Sequence, residues 1–302
     1  MISGMQALDR SHRPPSETLP EGAADCHMHV FGPFARFPLA AERAYNVAEA
    51  PLKAHERMKR RVGLHRTVFV QPSGHGNDNR AMLHALAQAG PRGRGVAVVD
   101  PGTPRADLGK MHAAGVRGAR LNLHTLGSRY KGDVAEWIAR YADLIGPLGW
   151  HLQILLDADG LARVEDALAR SAVPIVLDHM GLPEGGKGVG QPGFQAVLRL
   201  ASCGHVWAKL SGADRITRDS GRLSGALPFM RALCDVAPDR LVWGTDWPNI
   251  GFHSRNQIDG AQLLPHRELD AGELLDLLTV AVPRSETRTA ILVSNPARLY
   301  GF

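Results

Sequence analysis

The sequence predicts an α/β protein, a single-domain (β/α)8 TIM barrel spanning residues 23–302, and three observations carry that prediction. Short apolar, β-branched runs recur eight times along the chain. Segments of helical period lie between them, and no linker divides the chain. Near-continuous apolar strands that alternate with amphipathic helices indicate a parallel sheet covered on both faces. Eight such units suit a closed barrel, which typically takes ~250 residues. A doubly wound open sheet is the alternative, but no Gly-x-Gly-x-x-Gly follows the first strand.

The first strand is predicted at 24–31. Alternation along it puts His27 and His29 on one face, with Cys26 and Met28 on the other. Further strands are predicted at 67–71, 95–100, 116–123, 151–156, 174–178, 205–210 and 241–245. Helical period is clearest at 79–89, 134–148, 161–171 and 193–201. The Gly/Pro-rich stretch 183–192 follows strand six and reads as a loop over the barrel mouth. Its Gly185-Gly-Lys-Gly-Val-Gly190 lacks the Gly-Lys-Ser/Thr ending of a phosphate loop. Residues 1–22 are polar, carry Pro14, Pro15 and Pro20, and have no apolar centre of a secretory signal. They read as a flexible leader on a cytoplasmic protein.

Composition narrows the function classes. With 44% hydrophobic and 22% charged residues the chain is an ordinary globular protein. No apolar run approaches the roughly 20 residues of a membrane span. Three cysteines, an odd number at no metal-like spacing, argue against a disulfide framework. The net charge is +5 and its basic residues are scattered arginines. The one short basic run, Met58-Lys59-Arg60-Arg61, has no aromatic interleaving and reads as a solvated helix face. Nucleic acid is therefore not expected as a partner. The surplus charge suits the steering of a small anion.

In a barrel the active site lies at the C-terminal ends of the strands. That rule sorts the fourteen histidines. His65, His151 and His205 begin strands and belong at the bottom, where they serve stability. His27, His29 and His179 fall at strand tops, with His75, His124 and His253 in nearby loops. Asp246 ends the last apolar strand, where a carboxylate is rarely left unpaired. Gln71, Ser73, Asp100, Arg120, Asn122, Gln153, Asp178, Ser211 and Arg215 join the same rim. So many polar groups at one rim point to a catalytic site.

At these residues the chain resembles a known family. Asp25-Cys-His-Met-His-Val-Phe-Gly-Pro33, Gly115-Val-Arg-Gly-Ala-Arg-Leu-Asn122, Leu177-Asp-His-Met-Gly181, Lys209-Leu-Ser-Gly212 and Trp243-Gly-Thr-Asp-Trp-Pro-Asn249 resemble the amidohydrolase superfamily. Val30-Phe-Gly-Pro33, followed by Arg36-Phe-Pro38 and Tyr45, points within it to the 2-pyrone-4,6-dicarboxylate lactonase branch. The likeness runs from Ala23 to Asn295-Pro-Ala-Arg-Leu-Tyr-Gly301.

The resemblance implies that His27, His29, His179 and Asp246 are the catalytic residues. It also implies that Tyr45, Ser73, Arg120 and Arg215 hold a substrate anion. Arg offers a planar fork matched to carboxylate or sulfonate. A barrel ion pair, with Asp100 for instance, is the structural alternative for Arg120. Strand four offers Arg120 where a binuclear site has a Lys, and strand five offers Gln153 in place of a His. A two-metal centre therefore lacks its bridge. The site is expected to need no cofactor, or one divalent metal held by His27, His29, His179 and Asp246, a set that suits Zn2+.

Around a second carboxylate His124, Thr125, Leu126 and Gln153 stand where Arg and Tyr are expected, and Arg129 or Tyr130 would have to substitute. The expected function is a hydrolase that opens a small anionic lactone, with Asp246 as general base and the histidines polarising the carbonyl. The alternatives are a mononuclear-metal decarboxylase of an aromatic or muconate-like acid, and a non-catalytic organic-acid-binding barrel. A homo-oligomer is left open.

Overall fold

The computed structural model describes residues 8, 12–126, 130–218, 221–252 and 262–302. Eight strands form one parallel sheet in chain order: β1 (Ala24–Met28), β2 (Arg66–Val70), β3 (Gly93–Ala97), β4 (Val116–Asn122), β5 (His151–Leu155), β6 (Ile175–Leu177), β7 (Val206–Leu210) and β8 (Leu241–Trp243). Each lies within a few residues of its sequence-predicted position. The sheet closes between β8 and β1 just above the last strand. The Asp246 amide donates to the His27 carbonyl, and the His29 amide to the Trp247 carbonyl, each at 2.8 Å. Barrel closure therefore joins the two sequence motifs that lie farthest apart.

Helices cover the sheet, and their apolar spacing explains why. Helix Leu52–Val62 turns Ala54, His55, Met58 and Val62 inward and ends at Gly63, whose φ of 83° needs a glycine. Arg60 and Arg61 of the basic run are exposed, but Lys59 is buried and its ammonium pairs with Glu56 at 2.7 Å. The expectation of a wholly solvated face there is corrected. The predicted helix at 134–148 stops as an α-helix at Ile145, because Gly146-Pro147 follows. The one predicted at 161–171 is two short helices, Ala158–Arg163 and Glu165–Ala169, broken at Val164.

Apolar residues form two layers. Phe69, Leu121, Leu152, Ile154, Leu177, Leu210 and Trp243 pack under the helices. Val68, Val70, Val96, Val176 and Val242 fill the barrel interior with Tyr300. Cys26 belongs to the inner layer and Met28 to the outer one, because the β1–β2 register shifts between Asp25 and Met28. Strict alternation along the first strand is thus overturned by a local irregularity.

Residues ahead of the first strand also contact the barrel. The Ser16 amide donates to Asp276 at 2.7 Å, and Glu17 pairs with Arg288 at 2.6 Å. No helix among the described residues is long and apolar enough to cross a membrane.

Candidate active site

Three imidazoles converge on one carboxylate oxygen at the C-terminal mouth. The Nε2 atoms of His29, His27 and His179 lie 3.6, 3.7 and 3.8 Å from Asp246 Oδ1. All four residues are buried. His179 and Asp246 reach this point through left-handed backbone, φ 51° and 58°, conformations that cost energy in non-glycine residues. Two glycines make room for the cluster. A Cβ on Gly244 would lie 2.6 Å from the His27 amide nitrogen, and one on Gly212 would lie 2.9 Å from the His179 Cβ.

The other atoms of these groups are fixed from behind. His29 Nδ1 donates to the Val70 carbonyl at 2.8 Å, and His179 Nδ1 meets Ser211 Oγ at 2.9 Å. Asp25 secures the base of the motif, since its carboxylate accepts from the His27 and Thr245 amides and from the Thr245 hydroxyl. His55 Nε2 completes that set at 3.1 Å. Asp246 Oδ2 is held by Arg215 at 2.7 Å and by Arg267 at 2.9 Å.

Beneath the imidazoles lies a second charged layer. Asp178 Oδ2 accepts from Gln153 at 3.0 Å and from Arg120 at 3.3 Å. Asp178 Oδ1 is 3.2 Å from His27 Nδ1. Lys209, fully buried, donates to Gln153 Oε1 at 2.7 Å and approaches His27 Nδ1 at 3.2 Å.

These surroundings set the charge states. Burial opposes ionisation of Asp246, yet the Arg215 guanidinium and the facing histidines hold it well below the usual carboxylate range. Burial likewise opposes the charge of Asp178, and His27, Lys209 and Arg120 hold it low. Burial, with Lys209 nearby, pushes His27 down to about 4, and burial also pushes His179 well down. Both rings are neutral near pH 7. Burial pushes Lys209 down to about 8.

A cleft opens over the cluster. Tyr45, Ser73, Arg120 and Arg215 line it together with His29, His179 and Asp246. Ser73 Oγ donates to Tyr45 Oη at 3.0 Å. Four expected anion-binding residues are thus gathered at one mouth, with His124, Thr125 and Asn122 beside them. The ion pair of Arg120 is with Asp178; Asp100, suggested by the sequence, takes the Asn77 amide at 2.6 Å. Arg129 and His253 lie outside the described residues. A larger cavity lies to one side, between Leu223–Leu227 and helix Ala271–Ala281, and holds none of the imidazoles.

Sequence reasoning missed two residues. Lys209 was visible in principle, because it lies two residues below Ser211 on the same strand face. Arg267 lies in a loop without periodicity and gave no signal.

His27, His29 and Asp246 bring their donor atoms close enough to share a metal ion, as do His27, Asp178 and His179. Among the described residues the buried His27 Nε2 has no hydrogen-bond partner, so the His27, His29, His179 and Asp246 set fits one divalent ion in donor type and convergence.

The chain is similar to known proteins. The amidohydrolase family matches residues 24–302. Over 288 residues the chain is 36% identical to a 4-sulfomuconolactone hydrolase of Rhizobium radiobacter, covering 95% of this chain and 93% of that protein. It is 35% identical over 297 residues to a 2-pyrone-4,6-dicarboxylate hydrolase of Comamonas testosteroni, covering 95% and 92%. Among solved structures, that of an Agrobacterium tumefaciens protein in its apo form superposes with a TM-score of 0.78 at 26% identity, over 95% of this chain and 98% of that one.

Proposed function

The chain belongs to the amidohydrolase family, and we propose that it is a hydrolase that opens the ring of a small lactone bearing a carboxylate or sulfonate. One observation carries the reading: three imidazole Nε2 atoms surround Asp246 Oδ1 in a cleft that also presents Arg120 and Arg215. The two hydrolases it resembles are named for anionic lactones, a sulfonate and a dicarboxylate.

Asp246 Oδ1 takes a proton from water, and the hydroxide adds to the ring carbonyl. An imidazole of the cluster stabilises the resulting oxyanion. The ring C–O bond then breaks, and Asp246 returns its proton to the leaving oxygen. A positioned base of this kind contributes typically ~10²–10⁴-fold. Arg215 and Arg120 bind the substrate anion, with Tyr45 and Ser73 beside them, and Arg129 is a further candidate. Arg215 weakens Asp246 as a base while it sits on Oδ2; an anion that draws Arg215 away restores basicity where water gives up its proton. A divalent ion held by His27, His29, His179 and Asp246 would supply Lewis-acid polarisation of the carbonyl.

The test is a panel of lactones with and without a carboxylate or sulfonate, followed by acid release in a pH indicator. Ring opening of anionic members in preference to neutral isosteres is expected. No opening of any member, or carbon dioxide released from aromatic acids instead, would contradict the proposal.

A further inference from the structure

Two guanidinium groups hold the same oxygen of Asp246, but they are anchored differently. Arg215 reaches Oδ2 with Nη2 at 2.7 Å and Nε at 3.0 Å, and its side chain lines the cleft. Among the described residues its side chain makes hydrogen bonds to Asp246 only. Arg267 reaches the same oxygen with Nη2 at 2.9 Å and lines the neighbouring cavity instead.

The rest of the Arg267 guanidinium is already in use. Nε donates to the Ile250 carbonyl at 2.9 Å, and Nη1 pairs with Asp214. The group lies over Phe252, 4.8 Å from the ring centre. The Arg267 amide donates to the Asn249 carbonyl at 2.6 Å. These contacts tie Arg267 to the segment that follows Asp246 in the chain and to the neighbour of Arg215. Its side chain is 10% exposed, against 21% for Arg215. Drawing it away would strand Asp214, and breaking an ion pair so removed from water is strongly destabilising.

A carboxylate has two equivalent oxygens and a soft torsion about its Cβ–Cγ bond. The cluster uses one of them, since the three imidazole Nε2 atoms surround Oδ1. Once an anion has drawn Arg215 away, Arg267 is the cation left on Oδ2. We propose that Arg267 is a positioning residue that keeps Asp246 Oδ1 aimed at the imidazoles after substrate has taken Arg215. The two arginines divide the work: Arg215 binds the anion, and Arg267 fixes the base. Arg267 acts through Asp246, so it governs turnover rather than affinity. The departure of Arg215 and the effect on turnover rest on the lactone-opening reading; the hold of Arg267 on Asp246 does not.

Crystal structures of Arg215→Met and Arg267→Ala test that hold without substrate. Arg215→Met should leave the Asp246 carboxylate in place, and Arg267→Ala should let it turn. On an anionic lactone, Arg267→Ala should lower kcat about tenfold or more, with KM within about twofold of wild type. The adjoining cavity of about 720 Å³ gives a small cation access to the place left by the side chain. Millimolar guanidinium chloride should therefore recover part of the lost kcat, and methylammonium, which lacks the planar fork, much less. A carboxylate that turns in Arg215→Met, or stays in place in Arg267→Ala, would overturn the proposal. An unchanged kcat, or a loss that guanidinium leaves untouched, would overturn it as well. If Arg267→Ala fails to fold, the Arg215→Met structure still decides. A lactone panel without turnover would count only against the function, because both structures would still report on Asp246.

Discussion

Asp246 and Asp178 are both buried carboxylates flanked by cations in one barrel, yet they are held in opposite ways. Asp246 is gripped from the cleft side by Arg215, whose side chain is 21% exposed, and by Arg267, which lines the neighbouring cavity. Asp178 is gripped from within by Arg120, Gln153, Lys209 and His27, all of them buried. An incoming anion can take Arg215 from Asp246. Even where Arg120 turns to an anion in the cleft, Lys209 stays paired with Asp178 in the interior. Burial and a depressed pKa therefore do not separate the reacting carboxylate from the supporting one. The exposure of the partner does.

Asp246→Asn is expected to have the largest effect. It keeps the shape but cannot accept a proton, so turnover should fall at least ~100-fold in protein that still folds. Near wild-type turnover in folded mutant protein would place Asp246 on the supporting side. Asp178→Ala should show the reverse emphasis. It strips the counter-charge from buried Lys209 and Arg120, and breaking such a pair costs about 3–5 kcal/mol of stability in denaturant titrations. A loss within ~0.5 kcal/mol, ordinary for surface substitutions, would erase the distinction.

Arg215→Met sharpens the comparison from the ligand side. Losing a charge-assisted contact should raise KM for an anionic lactone about tenfold or more, while a neutral analogue changes little. Equal losses on both would make Arg215 a structural partner of Asp246 alone.

The smallest effect is in the pH dependence of stability. His27 is held down to about 4 in the fold against an ordinary 6.5, and His151 at the barrel bottom to about 3, burial being the main cause for each. Between these values and 6.5 the unfolded chain takes up protons that the folded chain refuses. Their contribution is thus fully present above 6.5 and is lost as pH falls toward 4 and then 3. His151→Leu should flatten that acid slope without changing turnover, as read by thermal melts across the range. An unchanged slope would mean that other groups carry it.

Much of this was legible in the sequence because strand ends are. His27, His29, His179 and Asp246 each end an apolar run, and one rule about barrels gathers them at one mouth. The supporting layer was harder to read. Asp178 and Gln153 could be placed on the rim, but their pairing depends on which neighbouring strand turns which side chain inward. Lys209 looks in sequence like a polar interruption of a strand, and only the closed barrel shows that its ammonium has nowhere to go but His27, Gln153 and Asp178. Cys26 and Met28 escaped the alternation rule because β1 shifts register there. Arg267 reaches Asp246 from a loop, where no periodicity predicts direction.

The central claim is that Asp246 acts on water as a base rather than on the lactone as a nucleophile. A single turnover with excess enzyme in 18O-labelled water, followed by mass analysis of product and of the peptide containing Asp246, separates these directly. One 18O in the new carboxylate of the product and none in Asp246 is the expected result. Label in Asp246, with an unlabelled product from the first turnover, would contradict it.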